Sequence, residues 1–355
     1  MADRYTNTLL LNADHSSASN WAGDSLTSAA YKWTASGSGT GEFYVELAAG
    51  GNPSISSPDA LEVDGAIIAT ATLGALTASS WNYGDNDTLG YSTVYVRLVD
   101  DSDPDTQLEG YVAAKYTPVA NDNVFYQFTN TVVMGGGDQS AIELDDVQVL
   151  TACTGNAGTA DNYLKLDQGV ANKVIFAGSG TWYLDMATSG SAEVRIDRGL
   201  KPGGGLAGVY FKNETNPIVK FIVGRATVRL VDANITTLVV GPESVVYIDS
   251  GCTVGTVECN GGEVIDRGAS ITTWNHNSGT GTKTGTDAFV LGLRGGTFYN
   301  DGTGTATVTQ FGGVFDSARD ARAKNVTLTL NVGTATIGAA VVLTDTLNKT
   351  TILTA

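Results

Sequence analysis

VKFIVG (219–224), ITTLVVG (235–241), VGTVECNGG (254–262), ITTWNHNSG (271–279), VLGLRGG (290–296) and ATVTQFGG (306–313) recur down the second half of the chain, and their first residues lie 16, 19, 17, 19 and 16 positions apart. Each is followed by a turn and a second short apolar strand: ATVRLVD (226–232), SVVYID (244–249), GEVID (262–266), GTFYND (296–301) and GVFD (313–316). A period of about 17 or 18 residues is too short for helical repeats or propeller blades. It suits one coil of a parallel β-helix, in which short strands and turns close a rung and rungs stack about 4.8 Å apart. The aligned positions Val219, Ile235, Val254, Ile271, Val290 and Ala306 are expected to form one inward column. Ile222, Leu238, Val257, Trp274 and Leu293 form the next, with Thr309 as its exception. Rungs of unequal length without a strict hexapeptide pattern point to the right-handed form.

VIFAGSGTWYLD (174–185) and AEVRIDRG (192–199) extend the stack towards the N-terminus, and the Gly-rich KPGGGLAGVYFKNETNP (201–217) reads as a projecting loop. Residues 1–150 show alternating strands without a repeat, among them GEFYVEL (41–47), YSTVYVRLV (91–99) and NVFYQFTNTVV (123–133), bounded by Gly, Asn, Asp and Pro clusters. The expected organisation is therefore all-β. Residues 1–150 form a β-sandwich or jelly-roll-like anchoring module, residues 151–323 a parallel β-helix, and residues 324–355 a β-rich cap or oligomerisation segment. A solenoid end needs such a segment because an open strand edge recruits other chains. The scarcity of charge in 325–355 favours an interface.

Composition agrees. Gly reaches 44 residues against 7 Pro, charged residues make up 16% and hydrophobic residues 42%, which disfavours long helices and global disorder. A net charge of −17 repels nucleic acid and anionic membranes. No apolar run reaches the length of a membrane span. The opening MADRYTNTLLLNADHSS has no basic region followed by a long apolar stretch, which reads as cytoplasmic synthesis without a secretion signal. Cys153, Cys252 and Cys259 offer no C-x-x-C spacing and read as free, buried, small hydrophobes.

The most distinctive chemical pattern is a row of aspartates. Asp197, Asp249 and Asp266 each close a second strand in an Asp-x-Gly turn, and Asp185, Asp232, Asp301 and Asp316 fall at similar places. Asp249 and Asp266 are 17 residues apart, so they are expected to stack on adjacent rungs. Two carboxylates on one face could supply acid and base for sugar cleavage or bind Ca²⁺; a turn requirement, Asp bonding the backbone, fits a repeating row better than a single active site does. Arg198 and Arg267 are placed to neutralise it. Two acidic loops, with Asp85 and Asp87 in GDNDTLG (84–90) and Asp100, Asp101, Asp103 and Asp105 in DDSDPD (100–105), could chelate Ca²⁺ or be solvated turns. Beyond Ca²⁺ no cofactor is expected. His15 and His276 lack a zinc spacing, and His276, between Asn275 and Asn277, reads as a surface or turn residue. Trp182, Tyr183, Trp274, Phe298 and Tyr299 could stack on sugars or pack inside the rungs.

The stretches GTGEFYVELAAGGNPSISSPDALEVDG (39–65) and WNYGDNDTLGYSTVYVRLVDDSDPD (81–105) resemble N-terminal modules of tailed-phage virion proteins, and the β-helix behind them is similar in kind to phage head fibres, capsid decoration proteins and tailspikes. The resemblance implies an N-terminal module that anchors to the particle and a homotrimeric β-helix on the virion surface, bound to the major capsid protein or another virion protein. The short β-helix without long inserted loops departs from depolymerase tailspikes. The expected function is thus structural: decoration of a phage capsid without catalysis. The alternative is a tailspike-like depolymerase or receptor binder directed at a host surface glycan, with Asp249 and Asp266 as its acid and base.

Overall fold

From Asn123–Tyr126 onward nearly every strand pairs in parallel with a strand one coil later, and this single rule organises the C-terminal two thirds of the chain. The computed structural model describes residues 2–10, 13–27, 29–48, 55–106, 112–130, 132–135, 138–168, 173–186, 193–197, 208–347 and 353–354. It is all-β, 56% strand and 1% helical, with a parallel β-solenoid of about nine turns. Its compact units are residues 1–3, 13–15 and 118–355, and residues 4–12 and 16–117.

In the N-terminal unit eight strands form one sheet. Its order is Asp24–Ser25, Val112–Lys115, Ala60–Val63, Ala66–Thr70, Ser80–Gly84, Thr93–Arg97, Phe43–Leu47 and Tyr31–Ala35. The pairings are antiparallel except Ala66–Thr70 with Ser80–Gly84. Alternation puts Trp33, Val45, Leu61, Trp81, Val94 and Val96 into a common core. The Trp33 indole there donates to the Leu26 carbonyl at 3.1 Å.

In the solenoid, parallel pairing stacks like positions of successive coils. One inward column runs Phe221, Leu238, Val257, Trp274, Leu291, Val308 and Leu328, every member at most 1% exposed. A second, on the next wall of each coil, runs Trp182, Val209, Val228, Val246, Val264, Gly281, Phe298, Phe315 and Ala335. Gly281 has a steric reason. A Cβ there would lie 2.8 Å from the Phe298 ring and 3.1 Å from the Trp274 indole, whose rings meet edge-on at 4.8 Å.

The structure corrects several expectations. The N-terminal unit ends at Thr117, not at 150, because Val124 pairs with Val147 and Val147 with Val174, which makes 123–149 the first coils of the solenoid. Residues 324–347 are no separate cap: Lys324–Leu330 pairs in register with both Ala306–Gln310 and Val341–Leu347, so the coils simply continue. The Gly-rich stretch 201–207 and Arg198 lie outside the described residues. Val209–Arg225, however, is strand rather than loop, with Val209 and Phe211 fully buried. The first inward column is also out of phase at two of its positions. Val219 and Val290 are 54% and 49% exposed, while Ile218 and Leu291 point inward. ITTL, VGTV and ITTW carry two residues between their inward positions, whereas Phe289-Val290-Leu291 carries one. Aligning the two types therefore slips one residue and exchanges inside for outside.

Replacing Gly281 with Leu should overpack this coil and lower unfolding free energy by about 1–3 kcal/mol, read by urea denaturation. The same change at Gly292, whose added Cβ would meet only the Asn275 amide oxygen at 3.4 Å, should cost less.

Candidate functional site

The parity of one strand decides what the aspartates can do. Along Glu263–Arg267 side chains alternate in and out, and the pairing sets Ile248 opposite Asp266 and Asp249 opposite Arg267. Asp266 therefore takes a core position and is wholly buried, while Asp249 faces outward. The expected stacked pair does not exist. Adjacent rungs here are 18 residues apart, so the 17-residue spacing puts the two carboxylates on opposite faces of one sheet.

Asp266 meets a cation inside. Lys283 Nζ lies 3.0 Å from Asp266 Oδ2 and also donates to the Ala269 carbonyl at 3.0 Å, and both side chains are 0% exposed. Backbone amides complete the shell: Gly268 and Ala269 donate to Oδ1 at 3.0 and 2.6 Å, Thr284 and Gly285 to Oδ2, each at 2.9 Å. Gly285 leaves room for the ammonium, since a Cβ there would lie 2.1 Å from Nζ. With five donors and no exposure, the carboxylate is closed to a substrate. It fixes two turns of adjacent coils to each other. The column continues through the buried Asn300, whose side-chain oxygen and nitrogen make no hydrogen bond and whose carbonyl accepts from the buried Lys324 Nζ at 2.7 Å.

The outward aspartates Asp197, Asp232, Asp249, Asp301 and Asp316 are taken up by cations and turns. Asp249 accepts from Arg229 Nε at 2.7 Å, with Arg267 at 3.8 Å, as expected for Arg267. Asp232 pairs with Lys212 at 3.4 Å, Asp197 with Arg195 and Arg225, each at 3.8 Å, and Asp301 with Arg319. Asp316 accepts from the Ala318 amide.

In the N-terminal unit each candidate Ca²⁺ ligand serves the backbone or an arginine. Asp85 accepts from the Leu89 and Gly90 amides, and Asp87 from Ser36 Oγ and the Gly37 amide. Asp101 pairs with Arg97 at 2.6 Å. Asp103 bonds the Asp105 amide, and Asp105 bonds the Trp33 amide. Among the described residues no three His, Cys, Asp or Glu side chains converge. A shallow cleft of about 210 Å³ beside Val63, Ile68, Leu98 and Asp100 is below the usual size of a small-molecule site.

The remaining candidates divide by face. His276 is not at the surface: it is fully buried, stacked between Cys259 and Leu293, and burial lowers its pKa. His15 is buried too, bonded through Nε2 to the Tyr126 hydroxyl at 2.8 Å, and burial lowers its pKa to about 4, opposed in part by Asp14. The three cysteines are free and buried, and burial pushes the Cys252 thiol up to about 11. Trp182, Trp274 and Phe298 fill the core, whereas Tyr183 and Tyr299 face outward. The outward rings do not offer flat platforms. Tyr183 and Tyr210 stack on each other at 4.2 Å, and cations cover other faces, Lys212 over Tyr163, Arg267 over Tyr247 and Arg319 over Tyr299.

Two arrangements escaped the sequence reading. The Asp266–Lys283 pair had a signal, a 17-residue spacing that matches the coil at Ile265–Thr282. So did an outward file of threonines, Thr237, Thr256, Thr273, Thr307, Thr327 and Thr344, interrupted only by Val290.

Asp266→Asn or Lys283→Met should each cost about 3–5 kcal/mol by stranding a buried charge, whereas Asp249→Asn should cost no more than about 1 kcal/mol. Chemical denaturation of the three variants checks the order. For His15 the folded pKa of about 4 lies below the ordinary histidine value of 6.5, so the stabilisation is present above pH 6.5 and is lost as pH falls towards 4. Relative to His15→Gln, the wild-type protein should lose about 2 kcal/mol between pH 7 and pH 5. A constant difference across that range would refute the assignment.

Compared with known proteins, the chain matches no family model, no curated protein and no solved structure.

Proposed function

We propose that the protein is a non-catalytic structural component of a tailed-phage virion, carried on the particle surface. One observation carries the non-catalytic part: the two carboxylates best spaced for sugar cleavage lie on opposite faces of a sheet, one sealed against Lys283 and one held by Arg229. The other described outward aspartates discussed above are engaged by cations or backbone amides, which leaves a surface built for regularity. The virion part draws on the resemblance of 39–65 and 81–105 to virion modules. In this reading the N-terminal unit folds as a β-sandwich that anchors the protein to the major capsid protein or another virion component. Antiparallel pairing interrupted only at Ala66–Thr70 with Ser80–Gly84, around the Trp33 and Trp81 core, supports that assignment. The solenoid then adds contacts at symmetric sites, each stabilising the shell by mass action.

Quantitative mass spectrometry of purified particles tests the proposal. One copy per capsid subunit, or three per local three-fold, is the expected result. A few copies per particle would place the protein on the tail or a vertex and bring forward receptor or glycan binding. Absence from particles would overturn the virion assignment.

A further inference from the structure

On the last five coils one wall of the solenoid carries no ionisable side chain on its outer surface among the described residues. Its central file is Thr273, Val290, Thr307, Thr327 and Thr344, flanked by Asn275, Gly292, Thr309 and Thr329. The coil before it is different, since Glu258 stands in the flanking file beside Thr256. On the adjacent wall the upper coils carry Asp301, Asp316 and Arg319. Arg294 borders the neutral wall at its corner, held by Asn277 Oδ1 at 3.2 Å. Exposed apolar side chains gather on the same coils: Val290 at 49%, Phe311 at 53%, Val332 at 60% and Val342 at 65%. Val290 and Val342 lie in strands of this wall, while Phe311 and Val332 lie in the turns that leave it.

Charge and periodicity together select the occupant. Two chains of net charge −17 repel, so contact between like chains is least opposed where the facing surfaces are uncharged. A different protein would be drawn to the acidic surface elsewhere, where charge complementarity is available. The wall also repeats every rung, at about 4.8 Å. A surface of the same repeat can seat side chains between threonines over the whole length of the wall, and another copy of this chain has that repeat. Val290 and Val342 add apolar area to the wall that such a copy would cover.

We propose that this threonine wall is where a second copy of the chain docks, solenoid beside solenoid, with rungs matched. The inference does not rest on the virion assignment, because self-association and particle incorporation are read by separate measurements.

Sedimentation of the full chain over a range of concentrations tests it. The wild-type protein should form oligomers that strengthen as salt screens the residual repulsion. The double variant Thr307→Glu/Thr327→Glu should weaken association at least about tenfold, since like charges brought face to face cost several kcal/mol, with an unchanged circular dichroism spectrum. Thr282→Glu, outward on the adjacent wall, should assemble as wild type. As a measurement that does not depend on adding charge, Thr327→Cys chains should link into disulfide dimers under mild oxidation. Thr282→Cys chains should not, the native cysteines being buried. A wild-type protein that stays monomeric, or oligomers indifferent to charge at Thr307 and Thr327, would overturn the proposal.

Discussion

Parallel pairing of each strand with its counterpart one coil later is the constraint on which this solenoid depends. Once the backbone hydrogen bonds run from rung to rung, each side chain stacks on the side chain at the same position of the next rung, and in–out parity is inherited along the column. A column cannot pass from inside to outside without a bulge. This is why Phe221 to Leu328 stays apolar over seven coils, and why a carboxylate that enters an inward column, as Asp266 does after Ile248, must bring its own cation. The inserted residue in Ile235-Thr236-Thr237-Leu238 is one of the few places where the parity is reset.

The interior of the upper coils is correspondingly mixed. Trp274, Phe298 and Phe315 fill space by ring packing around Gly281, while Asp266, Lys283 and Asn300 follow one another in a neighbouring column. An apolar column tolerates a slip of one coil, because Val on Val resembles Val on Leu. A buried aspartate facing a buried lysine does not, because any other register leaves both charges unmatched in a medium that cannot solvate them. We read the pair as the element that specifies register in a repeat whose apolar pattern is nearly degenerate.

How much of this was legible in the sequence follows from what a period can encode. Recurrence near 17 residues was enough for the parallel β-helix, because only a coil of that length stacks short strands with turns between them. Phase was not legible. The distance from one rung to its partner is 17 residues at Thr256–Thr273, 18 at Tyr247–Ile265, 19 at Thr237–Thr256 and 20 at Val308–Leu328. Aligning the segments by their first residues therefore misassigns Val219 and Val290 by one residue each, a 17-residue offset does the same to the Asp249–Asp266 pair, and one residue is the difference between core and solvent. His276 failed for a related reason: flanking asparagines suggested a polar surface, but in a strand the neighbours of a buried residue are the exposed ones. The first coils were missed because the alternation of NVFYQFTNTVV (123–133) serves a sandwich strand and a coil equally well.

Because a coil touches only the coils before and after it, length is an independent variable of this architecture. Duplication of one coil between Val290 and Thr307 would leave the apolar columns and the neutral wall continuous, and would extend the solenoid by about 4.8 Å. A gene encoding such a chain can thus set reach in fixed increments by unequal recombination, without redesigning a core. Asp266 and Lys283 constrain where the cut can fall: a coil inserted between them would separate the charges, so tolerated length changes belong on either side of that pair.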